Sequence, residues 1–81
     1  MKVHLRLFAL ARDILGLPWV EVELPAGATI ADLRQVVTEL WPAFAPLARS
    51  SMYAVAAEYV GNEFILKEGD EVACIPPVSG G

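Results

Sequence analysis

The stretch TIADLRQVVTELWP, Thr29 to Pro42, decides how the rest of the chain can fold. Ile30, Leu33, Val37, Leu40 and Trp41 recur at the spacing that lines one face of an α-helix. Thr29 and Asp32 resemble a capping box, with Asp in place of the usual Glu or Gln. Pro42 ends the helix near Trp41, because the residue before a proline is pushed out of helical geometry. One amphipathic helix cannot bury its apolar face alone. It needs a sheet to lie on.

The flanking segments supply strands. In KVHLRL (2–7), Val3, Leu5 and Leu7 alternate with Lys2, His4 and Arg6, the period of a half-buried strand. ARDILG (11–16) reads as a short helical turn, with Gly16 free to take a left-handed cap. In PWVEVELP (18–25), Val20, Val22 and Leu24 point inward and Glu21 and Glu23 outward, and Pro25 to Gly27 make a turn. AFAPLARSS (43–51) reads as a connection with room for one short turn. MYAVAAEYV (52–60) is β-rich and reads as a strand, and GNE (61–63) as a tight turn. LKEGDEV (66–72) turns at Gly69 and Asp70 into a last strand, Glu71–Ile75. The order is hairpin, helix, further strands, which predicts an α+β domain with the helix across one face of the sheet. A ubiquitin-like β-grasp with a mixed sheet fits this order and length. In that topology the first and last strands are parallel neighbours. The expected division is a domain over residues 1–75 and an extended, flexible tail over 76–81.

Composition narrows the function classes. Eighty-one residues allow one small domain. Apolar residues make up 56% of the chain and the mean hydropathy is +0.48, above the ~45–50% apolar share usual for globular domains. A domain of this size buries only roughly 60–65% of its unfolded surface. Some apolar surface is therefore expected to face outward and await a partner. No run approaches the ~18 apolar residues of a membrane span. The start, MKVHLRLFALARD, alternates like a strand and lacks a small-residue cleavage site, so a cytoplasmic location without membrane attachment is expected. Six basic against ten acidic residues give a net charge of −4, which argues against nucleic-acid binding. One cysteine excludes an internal disulfide, and one histidine excludes most metal sites. Neither a metal nor a bound cofactor is expected.

The folded body carries little chemistry of its own. His4 lies on the outward phase of its strand with no nucleophile or acid in a recognisable constellation. Cys74 shares the inward phase of Val72 and reads as a small buried hydrophobe. Asp70 and Glu71 read as a turn entering a strand.

The end of the chain, CIPPVSGG (74–81), is different. Two terminal glycines occur by chance in roughly 0.5% of chains. Pro76 and Pro77 remove backbone donors and block further strand pairing. They also stiffen the exit toward polyproline II geometry, which lowers the entropy lost on docking. Pro76, Pro77, Val78, Ser79, Gly80 and Gly81 could together reach on the order of 20 Å from the domain. Glycines without a Cβ can thread a narrow channel and present the terminal carboxylate to a buried active site.

LFALARDILG (7–16) and LKEGDEVACIPPVSGG (66–81), and above all GDEVA followed by PPVSGG, resemble the small subunits of molybdopterin synthase. The similarity runs over the whole chain and is strongest at its ends. The resemblance implies that an ATP-dependent enzyme adenylates the Gly81 carboxylate. A sulfur donor, such as a cysteine desulfurase or a rhodanese-like protein, then converts it to a thiocarboxylate. The resemblance further implies that the tail enters the large subunit of a heterotetrameric synthase. There the thiocarboxylate gives sulfur to cyclic pyranopterin monophosphate, and the general acids and bases belong to the partner.

Phe8 and Arg12 match the partner-binding pattern of that family near the first strand, and Ile75 stands where an aromatic is common. Ala56 replaces an Asn frequent after Ala-Val. Strand phase independently sets Phe8 on the side of His4 and Arg6, and Ile75 opposite Val72 and Cys74, so the two can share one apolar patch. The competing expectation is that Phe8 fills a second small core under residues 43–51. Carriers for thiazole formation, tRNA thiolation or cysteine synthesis remain open alternatives. So do a modifier joined to lysines through Gly81 and a passive binding module.

Overall fold

A computed structural model describes residues 1–77 of the chain. Strand β1 (Lys2–Leu7) leads into helix α1 (Ala9–Leu15), strand β2 (Trp19–Glu23) and the long helix α2 (Ile30–Leu40). A 3-10 turn at Pro42–Phe44 and helix α3 (Ala45–Ser50) follow, then strands β3 (Met52–Val55), β4 (Glu58–Val60) and β5 (Glu71–Ile75). The five strands form one mixed sheet in the order β2-β1-β5-β3-β4. β1 and β5 run parallel, with His4 opposite Glu71 and Leu7 opposite Cys74, and the remaining pairs are antiparallel. This is the expected β-grasp.

The alternation read in β1 and β2 sorts their side chains as expected. Val3, Leu5, Leu7, Val20 and Val22 are buried, joined by Tyr53, Val72 and Cys74 from β3 and β5. Ile30, Leu33 and Val37 of α2 close over this face, and Trp41 packs against it half-buried. Leu40 does not: it is 54% exposed, at the margin of the apolar stripe and in the helix's final turn. Thr29 and Asp32 form the capping box in both directions, the Asp32 carboxylate accepting from the Thr29 N–H and the Thr29 hydroxyl from the Asp32 N–H. Gly16 caps α1 at φ 72°.

Two segments differ from expectation. Residues 43–51 are no mere connection, for Phe44 and Ala48 are fully buried and fill one end of the core. Residues 52–60 are not one strand but a hairpin: Val55 pairs with Glu58, and Ala56 and Ala57 turn between them at φ 52° and 66°. Two successive left-handed residues make a type I′ turn, whose usual sequence is Asn-Gly. With alanine there, the hairpin carries no turn residue to mark it.

Arg34 ties this half of the molecule together. Its guanidinium donates to the carbonyls of Ala48, Arg49 and Ser51 at 2.9–3.1 Å, groups that the end of α3 leaves without helical partners. It also donates to Asn62 Oδ1 at 2.8 Å and lies 4.5 Å from the centre of the Tyr53 ring. The Tyr53 hydroxyl in turn donates to the Ala48 carbonyl. One side chain thus joins α2, α3, β3 and the loop after β4. Hydrogen bonds to charged groups contribute about 1.5–3 kcal/mol each when well placed, and partial exposure reduces this. Arg34→Met keeps most of the stem and loses the fork, so it should cost about 2–3 kcal/mol and lower Tm by roughly 10–20 °C. Arg34→Lys should not restore it, since an ammonium cannot span these acceptors. Urea unfolding of the three proteins checks this, and equal midpoints would remove Arg34 from this role.

Candidate functional site

The outer face of the sheet carries the candidate site. Because Val72 and Cys74 point inward, Ala73 and Ile75 point outward on β5, and Ala54 faces Ala73 across β3. Tyr59 stands opposite Ala54 on β4. The parallel register carries β1 past Arg6, which pairs with Ala73, so Phe8 follows beside Ile75. Phe8, Ala54, Ala57, Tyr59, Ala73 and Ile75 line an open depression of about 470 Å³. Phe8 is 43% and Tyr59 63% exposed, large apolar areas for a face with no helix over it. A second depression shares Phe8, Ala54, Ala57 and Ala73 and runs on to Arg6 and Glu71. Their ion pair is 2.9 Å long, and the Arg6 guanidinium lies 6.0 Å from the Phe8 ring. The groove is apolar beside the end of β5 and charged at its other end.

The structure therefore brings Phe8 and Ile75 together. Phe8 does not fill a core under residues 43–51, where Phe44 sits instead. Arg12 is exposed on α1, the helix that Phe8 caps, and does not line either depression. Pro76 and Pro77 leave β5 without regular structure. The expectations for Val78, Ser79, Gly80 and Gly81 lie outside the described residues. Sequence reading missed Ala54, Tyr59 and Ala73. A continuous strand over 52–60 gives Tyr59 no register, and Ala56 and Ala57 are not residue types that signal a left-handed turn.

His4 stacks edge-on against Trp19 and reaches Glu21 at 3.5 Å, and Lys2 reaches Glu21 at 3.7 Å. Cys74 is fully buried, and burial pushes its thiol pKa up. Burial likewise drives the Tyr53 phenol well above its ordinary range. Among the described residues no helix is long and apolar enough to cross a membrane.

A five-stranded mixed sheet with a helix across one face and the C-terminal segment leaving a central strand defines a ubiquitin-like β-grasp protein. The chain matches the ThiS family over residues 5–81 and belongs to it. The molybdopterin synthase sulfur carrier subunit of Chlamydomonas reinhardtii is 36% identical over 83 residues, spanning all of both chains. Among solved structures, the putative molybdopterin converting factor subunit 1 of Pyrococcus furiosus aligns with a TM-score of 0.85 and 31% identity. It covers 96% of this chain and 99% of its own. SAMP1 of Haloferax volcanii aligns with a TM-score of 0.84 and 25% identity over the full length of both. The resemblance read from GDEVA and PPVSGG is thus met by relatives of that kind.

Cys74 gives the site's environment a pH signature. A thiol held neutral in the fold contributes stability that is fully present below its unfolded pKa, ~8.5, and is lost as pH rises through its raised folded value. The urea midpoint should fall between pH 8 and 10, and less steeply in Cys74→Ala. Native protein should react with a thiol reagent at pH 8 only as fast as it opens. Rapid stoichiometric labelling of folded protein would show Cys74 to be accessible.

Proposed function

We propose that this protein is a sulfur carrier of molybdenum cofactor biosynthesis and the small subunit of molybdopterin synthase. The observation that carries this reading is positional. The register of β1 and β5 sets the outward apolar groove directly beside the strand end from which Pro76, Pro77 and the Gly-Gly terminus depart. Six residues beyond Ile75 span on the order of 20 Å, enough to reach into a partner's active site while the groove rests on that partner's surface.

A carboxylate is a poor acyl donor, because its leaving group would be oxide. Attack of the Gly81 carboxylate on the α-phosphorus of ATP, held by an activating enzyme, releases pyrophosphate and leaves an acyl-adenylate. The outer sulfur of a persulfide on a desulfurase or rhodanese-like donor displaces AMP and forms an acyl disulfide; a thiol then attacks the donor's inner sulfur, forming a disulfide there and releasing the thiocarboxylate. That soft anion, carried on Pro76, Pro77, Val78, Ser79 and Gly80 into the large subunit, attacks a carbon of cyclic pyranopterin monophosphate and expels an oxygen leaving group there, forming a thioester. Hydrolysis of that thioester returns the Gly81 carboxylate and leaves the sulfur on the pterin, so sulfide is delivered without being released free. Phe8 and Ile75 hold the large subunit, with Arg12 adding a cation on the adjoining helix. Cys74, buried on the other face, takes no part, so Cys74→Ala still accepts sulfur at Gly81. The likeness to SAMP1 favours a second reading, in which activated Gly81 is joined to lysine amines. A branch peptide ending in Gly81, joined by an isopeptide bond to lysines of other proteins, identifies that outcome.

Two experiments test the proposal. Phe8→Asp should fold with unchanged helix content yet bind the large subunit at least a hundredfold more weakly, because an unpaired carboxylate is costly to bury. Equal titration curves would take Phe8 out of the interface. For the tail, protein incubated with activating enzyme, ATP and a sulfur source should gain the oxygen-to-sulfur mass difference on the Gly81 peptide. One alanine appended after Gly81 shifts the carboxylate by up to ~3.5 Å. Misplacement near 1 Å already costs about a hundredfold in a preorganised site. The extended protein should keep its Tm and lose the mass gain. If it gains sulfur equally, or the natural chain never does, Gly81 is not the carrier.

A further inference from the structure

We infer that the polar depression between α2, α3 and the loop after β4 is a binding site for a small tetrahedral oxyanion of the phosphate or sulfate class. Its volume is about 480 Å³, and Arg34, Gln35, Thr38, Arg49, Ser50 and Asn62 are among the residues that line it. No carboxylate lines it, in a chain with ten acidic residues against six basic ones. The ion pairs among the described residues join Lys2 and His4 to Glu21 and Arg6 to Glu71. Among those residues neither Arg34 nor Arg49 meets a carboxylate. Arg34 is half-buried, and a guanidinium taken partly out of water is costly without a counter-ion. The acceptors around it are neutral: three backbone carbonyls and the side-chain oxygen of Asn62. They satisfy hydrogen bonds and leave the charge uncompensated.

The hydrogen-bond network determines which donors remain for a ligand. Arg34 directs Nε to Asn62 and Nη1 to the carbonyls of Ala48, Arg49 and Ser51, and its Nη2 has no partner among the described residues. Because Asn62 accepts through Oδ1, its amide nitrogen is left with two donors. Arg49, exposed in the last turn of α3, supplies a second guanidinium. The Thr38 and Ser50 hydroxyls donate to carbonyls of their own helices. Gln35 donates to Glu39, and Glu39 does not line the depression. The free donors therefore come from three segments and carry two positive charges. A carboxylate offers its acceptors in one plane, whereas a tetrahedral dianion offers them in several directions and matches both charges. Guanidinium bonds to such an anion are charge-assisted and among the stronger ones. The depression shares no lining residue with the outward apolar groove, so an anion can be held while that groove is covered.

The test follows the backbone amide shifts of the isotope-labelled full chain as sodium phosphate is added slightly above neutral pH, against sodium chloride at equal ionic strength. Phosphate should give a saturable shift at Gln35, Arg49, Ser50 and Asn62, with a dissociation constant of about 1 mM or below, and none at Phe8 or Ile75. Sulfate should act as phosphate does. Arg49→Gln removes one charge and should weaken binding by about fivefold or more. Asn62→Asp keeps an oxygen acceptor for Arg34 and replaces the donating amide by an anionic oxygen, so it should keep or raise Tm and abolish binding. Glycerol phosphate binding more tightly than phosphate would support the site and assign its occupant to a phosphomonoester, and equal binding would support the site and assign the free ion. The inference is overturned if the shifts do not saturate, if chloride reproduces them, or if acetate binds as tightly as phosphate. Folded Asn62→Asp that binds phosphate like the natural chain would also overturn it.

Discussion

Strand β5 is the last element of the fold and one of its central strands, hydrogen-bonded in parallel to β1 on one side and antiparallel to β3 on the other. A parallel pair cannot close through a short turn, so it has to be made late in the chain, after helices have crossed the sheet. The consequence is that the end of β5 lies in the middle of the sheet and not at an edge. Whatever leaves β5 starts from a rigid base, and the neighbouring strand ends determine what surrounds that exit.

The two faces of β5 divide the work. Val72 and Cys74 are fully buried beneath α2 and the Phe44 corner, where they contribute to stability. Ala73 and Ile75 look outward into the apolar groove. Alternation along five residues therefore couples the strength of the core to the placement of the tail. Arg34 reinforces the same half from behind: by satisfying the carbonyls at the end of α3 and covering the Tyr53 ring, it braces β3, the strand that holds β5 from the other side.

Much of this was legible along the chain because it depends on local period and local chemistry. The strands β1, β2 and β5 announced themselves by alternation, α2 by its apolar stripe and its Thr29–Asp32 cap, and the entry to β5 by Gly69 and Asp70. The hairpin of β3 and β4 was not legible, since Ala56 and Ala57 adopt left-handed geometry without the Asn or Gly that normally signals it. Leu40 was misplaced because periodicity gives the direction of a side chain but not where the surface it would meet ends. Phe44 was missed because a short proline-rich stretch carries too few residues to show a period.

What the sequence by itself determined is the class of the domain and the point at which its last strand ends. Hydrophobic spacing selects elements, and Pro76 and Pro77 end the pairing of the last strand by removing backbone donors. The tertiary structure decided which residues stand around the end of β5. Phe8, Ala54, Tyr59, Ala73 and Ile75 come from four separate segments, and their meeting depends on strand order and register. Those are settled by burying the inner faces of all five strands together, a global condition that no single segment carries.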